Sequence, residues 1–161
     1  MNNRGITLIE LIIVISIIGI LLIALGFSFE GWMGGYRVES QTKEMYVDLM
    51  NARARAMERN RLHVVDFPNT TQYRIREDTD EDNVPDTIIQ SFPKTVQYML
   101  NCNGSGILAT TFSFDTRGIV SPDRTLWFTS PANVNPDYDC IVLFATRINM
   151  GKMNGANCVA K

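Results

Sequence analysis

At 161 residues, the chain has room for one modest domain behind an apolar leading segment. Fifteen Lys and Arg stand against seventeen Asp and Glu, a formal net charge of −2. That balance excludes a dedicated nucleic-acid coat and an acidic tail, though not a local basic patch.

The leading segment is long and apolar. Between Leu11 and Phe29 no residue is charged, and a helix over that run rises about 28 Å, close to the thickness of a bilayer's hydrocarbon core. Three readings compete. Arg4 with the small residues Ala24 and Gly26 fits a secretory signal peptide. A plain signal anchor fits the same run. Neither needs Glu10, whose carboxylate costs on the order of a few kcal/mol in a membrane-embedded helix and is therefore a functional candidate. If the chain were cut between Gly5 and Ile6, Glu10 would stand one helical turn after a new α-amine. The two would share a face and could neutralise each other in low dielectric. Between subunits the same contact would set axial register. Arg4 ahead of the span places the amino end in the cytoplasm and everything after the span outside.

"RG|ITLIEL" resembles the leader and cleavage motif of type IV pilins and type II secretion pseudopilins. The resemblance implies a short leader (1–5), cleavage by prepilin peptidase between Gly5 and Ile6, methylation of the Ile6 amine, and pairing of Glu10 with the amine of an adjacent subunit. It implies residence in the bacterial inner membrane, single-pass with a periplasmic head, and then in a pilus or pseudopilus. The expected partners are other pilins through the helix, the peptidase and the inner-membrane assembly platform. Many members kink this helix at a proline; here the first proline is Pro68, so only Gly19 and Gly26 could loosen it.

After the glycines of "EGWMGGYR" the helical pattern resumes. Met45, Leu49, Ala52 and Ala56 form one apolar stripe, with Lys43, Asp48, Arg55 and Arg59 away from it. In pilin-like proteins the long first helix has this division of labour, so the resemblance implies a membrane or filament-core half (6–31) and an amphipathic half (32–60), followed by a β-rich head (61–161). Strands are expected in "RLHVVDF" and "QYRIRE", joined by "PNTT", then in "TVQYML", "TTFSFD", "RTLWFT" and the continuous run "CIVLFATRI". "NCNGSG", "DTRG" and "PANVNPD" read as loops. The fold class is α+β, a long hydrophobic amino-terminal helix carrying an antiparallel head in two small sheets.

Two stretches resemble the minor pseudopilin H group (GspH/FimT-like proteins): "DLMNARARAMERNRLHVV", and the hairpin "FSFDTRGIVSPDRTLWF". The match implies a minor subunit acting in assembly or at the tip of a filament. "ATRINMG" departs from the group, with Thr146 where a glycine is common.

In "EDTDEDNVPD", Asp78, Asp80, Asp82 and Asp86 with Asn83 at the turn resemble a calcium loop, because a tight turn can aim alternate carboxylates inward. The twelfth position, where a bidentate Glu would close the site, is Ile89. The plainer reading is a solvated acidic tip. No cofactor is required; calcium is the one candidate. Arg53, Arg55, Arg59 and Arg61, with Arg74 and Arg76 on a nearby strand, could engage DNA phosphates. The plainer reading pairs them with Asp48, Glu58 and Asp66 or with adjacent subunits.

Three cysteine pairings stay open in an oxidising compartment. Many pilin heads close a carboxyl-terminal loop, which implies Cys140 with Cys158 and leaves Cys102 free; Cys102 with Cys140 is the rival. Zinc is disfavoured, since there is no Cys-x-x-Cys pair and His63 is the single histidine. That histidine also leaves no nucleophile–base pair, and "GWMGG" follows no strand and makes no phosphate loop. The chain is expected to be a processing substrate, not an enzyme. Two rivals remain: a binding module at a pilus tip (a calcium-ordered adhesin or DNA-uptake receptor), and a tethered enzyme using the leader as an anchor.

Overall fold

A computed structural model of the chain describes residues 6–80, 82, 84–88, 93–103, 107–132 and 134–161. Side chains 24–31, 87, 88 and 109 fall outside that description, as do Arg4, Gly5, Asn83 and Ile89 among the residues named so far.

Helix α1 runs Leu8–Arg59 without a break. Thr7 caps its start, with extended backbone and a side chain that accepts from the Glu10 amide at 3.3 Å. This satisfies one of the amide groups a helix start leaves without a partner. Asn60 ends it in the left-handed region at φ 53°, a conformation asparagine tolerates better than most residues. The glycines of "EGWMGGYR", expected to punctuate the helix, do not interrupt it. Gly34 and Gly35 are instead buried where the head crosses: a Cβ on Gly34 would lie 2.8 Å from Val134 Cγ2.

The rear half of α1 buries Val38, Thr42, Met45, Leu49, Ala52 and Ala56. These follow one another at steps of three and four and so share a face. The expected stripe from Met45 to Ala56 is there and extends two turns further back, through Thr42 to Val38.

Among the described residues the head has two antiparallel sheets. Strands β1 (His63–Asn69), β2 (Gln72–Glu77), β3 (Thr87–Ile88), β4 (Lys94–Thr95), β6 (Thr111–Phe114) and β7 (Val120–Ser121) form the first, ordered β3-β2-β1-β6-β7 with β4 also on β2. Strands β5 (Leu100–Cys102), β8 (Arg124–Phe128), β9 (Cys140–Phe144), β10 (Arg147–Asn154) and β11 (Asn157–Ala160) form the second, ordered β11-β10-β9-β8-β5. Val65 pairs Ile75 on β2 and Phe112 on β6. Val65, Tyr73, Ile75, Phe112, Phe114, Leu126, Ile141 and Leu143 meet the helix stripe in one core.

Three strand expectations need correction. "TVQYML" is not one strand: Lys94–Thr95 is β4, and pairing resumes only at Leu100. "CIVLFATRI" is a hairpin whose turn holds Ala145 at φ 37°. The β10–β11 hairpin was not anticipated. Its two-residue turn, Gly155–Ala156, opens with Gly155 at φ 62°, as a hairpin turn with glycine at its first central position does. A disulfide joins Cys140 to Cys158 across this second sheet, and Cys102 is a buried free thiol.

Candidate functional site

The front of α1 is where packing and sequence disagree most sharply with an isolated soluble chain. Ile6 and Leu8 are each 76% exposed, and large apolar side chains are exposed at position after position through Ile23. A helix apolar all round belongs inside something, because water contact at that scale is unfavourable. Among the described residues no helix is long and apolar enough to cross a membrane; the rest of the apolar run, 24–29, lies among the side chains not described. Glu10 sits in the first turn, its amide held by Thr7. The partial positive charge of a helix start favours a carboxylate there.

A family model described as the prokaryotic N-terminal methylation motif matches residues 1–26, the stretch that holds Gly5, Ile6 and Glu10. The chain carries that methylation motif. The crystal structure of the type IV minor pilin FimU from Pseudomonas aeruginosa (strain PAO1) is similar in fold, at 14% identity and a TM-score of 0.53. The likeness covers 71% of this chain and 88% of that one. No curated protein matches the chain.

In the head the acidic loop divides. One carboxylate oxygen from each of Asp78, Asp80 and Asp82 lies within 4.8 Å of the others, Asp78 buried and the other two exposed. Desolvation first, then the charges of Asp82 and Asp86, hold the Asp80 carboxyl above its ordinary range. Asp86 does not join them. It accepts from the Thr79 amide at 3.1 Å and the Thr79 hydroxyl at 2.6 Å, stapling the base of the loop.

The arginines do not form one open basic face. Arg59 and Arg61 reach buried Glu77 at 2.8 and 3.5 Å. Arg74 grips Asp66 through three hydrogen bonds of 2.7–2.9 Å, and Arg76 joins at 3.5 Å. Arg53 donates to the Thr146 carbonyl at 2.7 Å. Arg55 is exposed on α1. Positive charges already answered by carboxylates have little left to displace phosphate counterions, so the geometry supports the plainer reading. Of its three proposed partners Asp66 serves as expected, while Asp48 turns to other groups.

Those groups form a network that the sequence reading missed. The Tyr73 hydroxyl donates to Asp48 Oδ2 at 2.6 Å, and Lys94 Nζ lies 2.7 Å from both Asp48 and Glu44. It ties β2 and β4 to the helix. Glu77 was likewise not singled out, although it ends a cleanly alternating strand on the inward side, the signal that could have found it. His63 is fully buried. Its Nδ1 lies 3.1 Å from the Arg61 carbonyl, so that nitrogen must carry the proton and donate.

Proposed function

We propose that this chain is a minor pilin or pseudopilin, a structural and non-enzymatic subunit of the GspH/FimT-like group. Residues 1–5 are a leader, 6–31 the membrane and filament-core half of the helix, 32–60 its amphipathic half and 61–161 the periplasmic head. Prepilin peptidase cuts between Gly5 and Ile6 and the Ile6 amine is methylated. The precursor sits in the inner membrane until the assembly platform draws it into a filament. Glu10 then pairs with the amine of a neighbouring subunit, and apolar packing holds the helices together.

One observation supports this reading: the methylation motif falls on the stretch whose large apolar side chains, among the described residues 6–23, are exposed. Changing Glu10 to Ala tests it. Insertion into the membrane is expected to persist while incorporation into filaments is lost; normal incorporation removes Glu10 from assembly. A second reading, a calcium-ordered binding module at a filament tip, draws on the convergence of Asp78, Asp80 and Asp82. Calcium titration of the full chain against an Asp80→Asn variant tests it, with saturable binding in the parent only.

A further inference from the structure

Just past the apolar run, the head reaches back to the helix. The segment carrying Val134 and Pro136 crosses α1 at Gly34 and Gly35, which are small enough to let it close. Beside that crossing lies a notch of about 190 Å³, lined by Trp32, Tyr36 and Glu39 from the helix and by Asn135, Pro136 and Asp137 from the head. The two rings stand one helical turn apart and face solvent, Trp32 at 69% and Tyr36 at 63% exposure. Amphipathic rings of this kind are enriched where one end of the ring is apolar and the other wet.

The rim has an unusual regularity. Each of its three polar acceptors already holds a lysine ammonium: Glu39 that of Lys43, Asn135 that of Lys152, and Asp137 that of Lys161 at 3.0 Å. Each acceptor at the edge of the notch thus has an ammonium group beside it. Carboxylates have lone pairs for more than one donor. A ligand with its own primary ammonium could share these acceptors, and the lysines would stand next to an anionic group beside it.

The height of the notch narrows the ligand. At about 1.5 Å per residue, Trp32 stands about 4.5 Å and Gly35 about 9 Å beyond Phe29, the last residue of the uncharged run. The headgroup layer outside the hydrocarbon core is about 5–8 Å deep on each side. Tryptophan and tyrosine favour that layer, apolar body inward and polar edge toward water.

Resting on the inserted precursor described under Proposed function, we propose that this notch seats the headgroup of a phospholipid that carries a primary ammonium beside its phosphate. Glu39, Asn135 and Asp137 accept from the ammonium, Lys43 and Lys161 face the phosphate, and the Trp32 and Tyr36 rings wall the site. A trimethylated headgroup has no N–H to donate and gains only the ring contact. The seat fixes how the head stands on the membrane before extraction.

The test uses the full chain in phosphatidylcholine vesicles doped with equal amounts of one brominated lipid, either phosphatidylethanolamine or phosphatidylcholine. Bromine quenches nearby indole. A Trp32→Phe variant supplies the Trp127 background for subtraction. Quenching of Trp32 is expected to be about threefold stronger with the brominated ethanolamine lipid, the scale of an exposed charge-assisted contact. The isosteric pair Glu39→Gln and Asp137→Asn is expected to remove that preference. Equal quenching by the two lipids, or a preference that survives the double change, overturns the headgroup site. Resistance to alkaline extraction is read in the same samples: a chain that never inserts overturns the precursor reading instead.

Discussion

Changing Tyr73 to Phe removes a single oxygen from a ring only 1% exposed. That oxygen donates to Asp48 at 2.6 Å, and Asp48 keeps Lys94 at 2.7 Å when it is gone. No charge is orphaned, so the loss is that of one charge-assisted hydrogen bond, about 1.5–2 kcal/mol. The opposite truncation behaves differently. In Asp48→Ala the hydroxyl is left buried and without this acceptor, which costs about 1–3 kcal/mol of desolvation beyond the lost contact. Adding Tyr73→Phe to Asp48→Ala should then restore part of the stability, although it weakens the parent. Urea unfolding of the four members of this cycle, with the full chain in mild detergent, measures the sign. Additive losses would show that the hydroxyl does not depend on Asp48 and would refute the reasoning. The same pair has a pH signature. Burial first, then the hydrogen bond to Asp48, raises the Tyr73 pKa above its ordinary value of 10. The unfolded chain therefore releases this proton first, and stability should fall as pH rises past about 10, less so in Tyr73→Phe.

Acid should act through His63. Burial foremost lowers its pKa below the ordinary 6.5, so below that pH the unfolded chain takes up a proton that the folded head refuses. Stability present above pH 6.5 should drain away as pH falls, and His63→Gln should flatten this part of the unfolding profile. Gly151→Ala should cost about 1–3 kcal/mol, because its Cβ would meet the backbone carbonyl oxygen of Val159 on β11. Gly155→Ala, where a Cβ meets nothing within 4 Å and only the φ of 62° resists, should cost less, and thermal unfolding of the two variants measures both. Reducing the disulfide opens a loop with a sequence separation of 18 and should cost about 3 kcal/mol. Limited proteolysis should then cut β11 ahead of β9.

What could be read from the chain alone was what periodicity and composition encode. The helix stripe through Met45, Leu49, Ala52 and Ala56 shows because core burial repeats every turn, and β2 shows because its pleat alternates. Contacts between distant residues leave no such local trace. Nothing near Asp48 announces Tyr73, and nothing near Glu77 announces Arg59. A continuous apolar run also hides its turn: "CIVLFATRI" reads as one buried strand, but the chain reverses at Ala145. Glycines misled in the other direction. At Gly34 and Gly35 they read as punctuation, and in fact they let the head close against an unbroken helix.

The central claim concerns the first residues of the working protein, so its most direct test is the intact mass of the chain recovered from membranes that contain prepilin peptidase. A mass that begins at a methylated Ile6, with Glu10 one turn beyond it, is the result expected. A chain that keeps residues 1–5, or that begins near residue 27 after an ordinary signal-peptide cut, would contradict it.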